Sequence, residues 1–358
     1  MTRLGLYTTI IFWLAMAMLP LVVRPWDLVM FSQLLIYGIA AMSLALIWGQ
    51  GGLLCFGQAL FFGVGAYVMA LTGKGLIPGI AASAWLGLGL ATLSGALVAL
   101  LAGFALFFGQ ALRGPYFGIV TIAAAVIVER FATNWRYIGG YNGLLDIEPL
   151  SFALIWPGLD SAEPLAGYLT ALLAAFAVFL LLNALVRSPF GTVLRGLRAD
   201  EQRVASLGYS VGLWKTIAFC IGGGTAALSG ALFAVQFSFV SPAVIGFAMS
   251  TEILIWAAVG GKEVLLAAMA GAAVVKYFEA VLSDAIGHYY LLVIGIIFIV
   301  VVVALPRGLL GRLFELPRPQ RLRADGISGH TQKHRERADA AAPMEPRQPA
   351  PGKQEDGT

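Results

Sequence analysis

A chain of 358 residues that is 59% hydrophobic and only 12% charged, with a mean hydropathy of +0.85, excludes a soluble globular domain. The net charge of +4 is modest, and the partner that such a composition implies is a lipid bilayer, with no nucleic acid involved. Backbone groups in hydrocarbon must be satisfied within the chain, and the apolar runs lack the alternation of barrel strands, so the predicted fold is an all-α, polytopic integral membrane helical bundle.

In chain order, the apolar runs predict helices at about Gly5–Val23, Leu28–Trp48, Gly57–Thr72, Ile80–Phe108, Tyr116–Phe131, Gly167–Leu185, Leu213–Phe237, Ala248–Val259, Val264–Leu282 and Tyr289–Ala304. That makes ten, or a count of eight to ten transmembrane helices, because the long fourth run can tilt or hide a break and the short fifth and eighth can be half-helices lining a cavity. The first run carries Arg3 and an Ala15-Met16-Ala17 step, as a secretory signal would. It exceeds the roughly 7 to 15 residues of a signal core, and is read as an uncleaved helix.

Loop charge sets the orientation. The segment from Gly139 to Ala166 holds Asp146, Glu148, Asp160 and Glu163 without Lys or Arg, whereas the Ser188–Gly212 insertion and the chain beyond Leu305 are rich in Arg. Both termini and the insertion are therefore expected in the cytoplasm, with the acidic loop outside. Residues Met1–Glu315 form the membrane domain, with the insertion at Arg187–Gly212. The tail from Leu316 to Thr358 is proline-rich, charged and too polar to bury a core, and reads as a disordered cytoplasmic segment.

The insertion, SPFGTVLRGLRADEQRVASLGYSVG, is basic and amphipathic. Arg195, Arg198 and Arg203 crowd with Asp200 and Glu201, and Leu207-Gly208-Tyr209 follows as a small apolar knob; this is the chemistry of a docking element. Glycine clusters at Gly49-Gln50-Gly51-Gly52, from Gly57 to Gly65, and from Gly222 to Gly230. Tight helix packing accounts for the last series. The first, with Gln50 and Gln58 between two helices, is open equally to a pathway or a structural break.

Ionisable residues inside apolar runs are few. Lys276 and Glu279, three apart, are placed to pair. Glu252 stands near a helix start, where the macrodipole favours a carboxylate, and is a candidate for holding a substrate ammonium. Chemistry for an enzyme is missing: there is no H-E-x-x-H and no serine elbow, and Gly260-Gly261-Lys262-Glu263 lacks the spacing and hydroxyl of a phosphate loop. Cys55 and Cys220 lie in or beside apolar runs, and of three histidines only His288 is near the membrane, so no catalytic, disulfide or metal site is expected.

FGQALFFGVGAYVMAL (Phe56–Leu71), LRGPYFGIVTIA (Leu112–Ala123), GGYNGLLDI (Gly139–Ile147), the insertion, KTIAFCIGGGTAALSGALF (Lys215–Phe233) and ALPRGLLG (Ala304–Gly311) together resemble the branched-chain amino acid ABC transporter permease family, from about Leu28 to Gly311. The resemblance implies a bacterial inner-membrane permease. It implies pairing with a second homologous permease, docking on two cytoplasmic ATP-binding subunits, and substrate supplied by a periplasmic binding protein. ATP is then used by the partners, and this chain binds no cofactor and is not itself an enzyme.

Gln202–Gly208 is similar to a degenerate E-A-A-x-x-x-G coupling loop, which makes Arg198, Asp200, Glu201, Arg203, Leu207 and Gly208 the candidate ATPase contacts. Gln58, Tyr116, Thr121, Gln236, Ser238 and Glu252 are the candidate pathway residues. The substrate implied is a branched-chain or other apolar amino acid; urea and short amides are the alternative, because permeases for them share these motifs. An ion-coupled transporter using Lys276, Glu279 and Glu252, or a non-transporting scaffold, are the readings that dispense with ATP.

Overall fold

The computed structural model describes residues 3–79, 82–109, 115–151, 161–286, 295 and 308–311, and these are mostly helical. Apart from residue 295, the expected helix at Tyr289–Ala304 lies outside the described residues, as does the tail from Leu316. The nine remaining apolar runs each form a helix. They are α1 (Arg3–Val22), α2 (Pro25–Leu44), α3 (Gln58–Gly73), α4 (Ala84–Phe104), α5 (Pro115–Asn134), α6 (Pro164–Arg187), then, beyond the insertion, α9 (Val211–Phe237), α10 (Phe247–Gly260) and α11 (Leu265–Ile286). The insertion itself makes α7 (Pro189–Ala199) and α8 (Glu201–Ser206).

Seven of the helices described are long and apolar enough to cross a bilayer, whereas α3 and α10, with 16 and 14 residues, are shorter. The fifth run, expected to be short at Tyr116–Phe131, extends to 20 residues by taking in Pro115 at its start and Ala132, Thr133 and Asn134 at its end. Prolines at the first turns of α2, α6 and α7 sit where a missing N–H costs nothing and φ is already helical.

The core gathers around α9, which packs against α2, α3 and α4. Small residues permit this. A Cβ at Gly230 would collide with the Phe62 carbonyl, one at Gly65 with the Ala227 carbonyl, and one at Gly223 with the Ala99 methyl. The glycine series on α9 is thus a packing surface. By contrast α1 lies on the outside, antiparallel to α6, where Trp13 meets the Phe176 ring edge-on at 4.9 Å and Tyr168 donates to the Met16 carbonyl at 2.6 Å.

The two ends of the bundle differ. At one, the acidic loop forms β1 (Leu144–Leu145), which pairs antiparallel with β2 (Phe239–Val240) after α9, in the register Leu144 to Val240. Lys74, just past α3, donates to the Leu145 carbonyl at 2.5 Å, and the Trp85 indole near the start of α4 donates to Ser151 at 2.8 Å. At the other end lie the last turns of α2, α4 and α6, the insertion, the first turn of α9, and the α10–α11 connection.

Candidate coupling surface and translocation route

The insertion is built on its own small core. Leu194 and Leu197 of α7 and Val204 of α8 bury themselves against Ala218 of α9, with Phe190 and Trp214 flanking. Asp200 separates the two helices in an extended conformation and caps α8, its carboxylate accepting from the Arg203 backbone N–H at 3.1 Å. Arg195 reaches back to the last turn of α6 through the Val186 carbonyl at 3.1 Å. The buried Lys215 ammonium, at the start of α9, holds Glu201 Oε1 at 2.5 Å.

Of the six candidate ATPase contacts, two turn into the bundle, and Asp200 and Arg203 pair with each other at 3.7 Å. Glu201 is tied to Lys215, and Arg198 turns its guanidinium into the bundle, donating to the Gly49 carbonyl and to Glu263 Oε1, the latter at 2.8 Å. The other four lie on the outer surface. The Arg203 side chain is 81% exposed and Leu207 71% exposed; Asp200 is exposed beside them. Gly208 ends α8 at φ +87, a conformation that favours glycine, and a Cβ there would touch nothing.

Arg198 belongs to a junction that the sequence did not single out. α2 ends in a π-helical turn, Ala45–Gln50, after which the chain is irregular to Gly57. Gly49 lies directly against the Lys262 carbonyl, and Gly52, at φ +74, against the Arg198 side chain, so a side chain fits at neither. Gln50 donates to the Glu263 carbonyl at 2.8 Å, and the Lys262 ammonium sits 4.5 Å from the Trp48 ring. Burial pushes the Lys262 ammonium below its ordinary range, the Arg198 guanidinium adds to that, and Glu263 opposes it. Leu309 and Leu310 donate to the Val259 and Gly260 carbonyls at 2.8 and 3.1 Å. The rejected phosphate-loop tetrapeptide, Gly260–Glu263, is therefore a contact platform. A charged pair between two short-linked apolar helices was the available signal.

The helical ladder of α2 breaks at the Gly49–Gly52 segment, whose Gln50 bonds within the chain. Gln58 is fully buried at the start of α3 and donates to Ser43 Oγ at 2.9 Å and the Gly222 carbonyl at 3.2 Å, while its Oε1 has no partner among the described residues. Nearby, buried Thr121 accepts from the Phe56 backbone N–H at 3.2 Å. The remaining pathway candidates lie elsewhere. Tyr116 is exposed at the start of α5, Ser238 sits at φ +50 past the end of α9, and Gln236 lines a cleft with Ile36, Ser161 and Thr170.

Glu252 is part of a different constellation. It meets Lys276 across the α10–α11 packing at 2.7 Å, and Lys276 also holds Glu279 at 2.9 Å, so the predicted pair makes up two members of a three-membered cluster. The Tyr37 and Trp256 rings, which sequence reading passed over, stand 5.1 and 5.4 Å from the same ammonium.

Residues 28–302 match the family described as the permease component of branched-chain amino acid transport systems. The chain is 32% identical over 245 residues to the high-affinity branched-chain amino acid transport system permease protein LivM of Salmonella typhimurium, and equally to LivM of Escherichia coli. These matches take in 63% of this chain and 56% of each relative, so the chain spans little more than half the length of those proteins. A probable branched-chain amino acid transport permease protein, LivM, of Methanocaldococcus jannaschii is 32% identical over 126 residues, 34% of either chain. No solved structure gives a significant match.

Proposed function

Because the chain belongs to the family of permease components of branched-chain amino acid transport systems, we propose that it is the membrane-spanning subunit of an ATP-driven importer of branched-chain or other apolar amino acids. In this reading it lies in the bacterial inner membrane with a second homologous permease. Two cytoplasmic ATP-binding subunits supply the hydrolysis, and a periplasmic binding protein delivers the substrate. The chain binds no cofactor of its own and catalyses no reaction.

The observation that carries the proposal is the α7–α8 insertion, a compact unit with its own apolar core that presents Leu207, and Arg203 paired with the neighbouring Asp200 at 3.7 Å, on its outer face. Such a unit transmits a push. Leu207 fills a cleft on the ATPase and Arg203 makes charge-assisted bonds at its rim. When ATP draws the two ATPases together, α7 moves with them. Arg198 passes that displacement to the broken end of α2 and to the α10–α11 connection. Tight substrate binding in the route itself is unnecessary, because a soluble partner supplies affinity and ATP supplies the change of state.

The test is uptake of radiolabelled leucine and, separately, urea by proteoliposomes holding the complete complex, with and without Arg203→Glu. Leucine uptake that the variant abolishes while the complex still assembles supports the reading. Uptake of urea alone moves the protein to the amide branch, and leucine uptake indifferent to the variant removes the docking role.

A further inference from the structure

Lys276 stands about 16 Å along α11 from its first residue, at 1.5 Å per residue, well within the apolar stretch. Its ammonium lies between two carboxylates, Glu252 Oε2 at 2.7 Å and Glu279 Oε2 at 2.9 Å, and beside the Tyr37 and Trp256 rings. Two carboxylates to one ammonium leave a surplus negative charge. Trp256 is wholly buried, and its indole N–H has no partner among the described residues. Charged groups at this depth face protein or water and not lipid chains. Glu252 nonetheless keeps 33% of its side chain exposed, and Tyr277 and Phe278 are exposed on α11 nearby.

The cluster therefore presents, at its open edge, an acceptor with charge to spare beside a donor already held in place. That pattern complements a zwitterion. An α-amino acid carries an ammonium and a carboxylate one carbon apart, whereas urea and short amides carry neither charge. We propose that the open edge of the Glu252–Lys276–Glu279 cluster holds the zwitterionic head group of an amino acid in transit, the substrate ammonium at Glu252 and its carboxylate at Lys276. Glu279 is a positioning residue that keeps Lys276 in place. Exposed aromatic surface on α11 receives the hydrocarbon side chain. This inference rests on the importer reading and narrows it to zwitterions over neutral amides.

The experiment uses the complete complex in nanodiscs, its melting temperature read with leucine, leucinamide, N-acetyl-leucine or urea, alongside leucine uptake in proteoliposomes. Leucine is expected to raise the melting temperature, leucinamide and N-acetyl-leucine, each lacking one charge, to raise it less, and urea not at all. Glu252→Gln leaves the Lys276–Glu279 pair neutral and so is expected to fold. It should erase the leucine shift and raise the half-saturating leucine concentration about ten-fold or more, the value of a charged hydrogen bond. Glu252→Asp, which keeps the charge, should retain part of the shift.

Leucine uptake by the wild type that both Glu252→Gln and Lys276→Gln leave unaltered overturns the inference while the importer reading stands. Loss of the second permease from the purified Glu252→Gln complex assigns the carboxylate to a subunit contact and also overturns it. A wild-type complex that takes up no amino acid overturns the importer reading and the inference together.

Discussion

Arg198 shows how one side chain fixes the relation between a surface element and the membrane core. Its planar guanidinium spans two acceptors on different parts of the chain, the Gly49 carbonyl and the Glu263 carboxylate. An ammonium is a point charge and cannot reproduce that fork. Arg198→Lys is expected to cost about 1 to 2 kcal/mol of stability, a modest figure because the pair is one third exposed. Its larger effect should be on coupling. ATP hydrolysis by the assembled complex should persist while leucine uptake per ATP falls, measured as the ratio of the two rates in the same proteoliposomes. A ratio equal to that of the wild type would show that displacement reaches the membrane helices by another route.

Among the elements, the insertion was the most legible in the sequence, and its partners the least. A basic amphipathic stretch between two apolar runs announces a helix outside the bilayer, and the Asp200 cap and Gly208 terminator are local signals that the fold follows. The direction in which each charge points is a tertiary fact. Arg198 and Glu201 look as available as Arg203 when read in line. They turn inward because acceptors and a buried ammonium 14 to 149 residues away lie on that side. The same holds for Lys276. Spacing along one helix gives Glu279 as a partner, but Glu252 and the two rings belong to other helices.

The Lys215–Glu201 bond makes α8 testable as an element. Glu201→Gln leaves a buried ammonium short of its counter-charge, which should destabilise the permease by about 2 kcal/mol, discounted for the partial exposure of Glu201. Lys215→Met alone should cost less, and the double variant less than the sum of the two. Thermal melting of all four forms in a double-mutant cycle checks this, and strict additivity would mean that the bond contributes nothing.

At the scale of the whole molecule, the loop charges predict which end faces the cytoplasm, and the structure puts the described part of the acidic loop and the arginine-rich insertion at opposite ends of one bundle. Single cysteines at exposed positions in a Cys220→Ser background test the assignment, since Cys220 is partly exposed whereas Cys55 is buried and gives little background. An impermeant thiol reagent should label Tyr141→Cys, at the acidic-loop end, in intact spheroplasts, and Arg203→Cys only in inverted vesicles. The reverse pattern would invert the topology and place the insertion away from any ATPase. Hydrophobic runs gave the helices because in hydrocarbon length and apolarity nearly determine the element. They were silent on the route, because pathway lining depends on which polar side chains converge from separate helices: Gln58 bonds Ser43 and the Gly222 carbonyl, Thr121 bonds the Phe56 N–H, and Tyr116 and Ser238 stand apart.

The glycine and alanine contacts between α3, α4 and α9 have a mechanical consequence. Where backbones touch there are no side chains to re-rotate, and a shift of a fraction of an ångström brings carbonyl against Cα. Those three helices must behave as a keel that travels whole. Any alternation of access then falls to the pieces hinged around it: the unwound end of α2 and the short α10 with its neighbour α11.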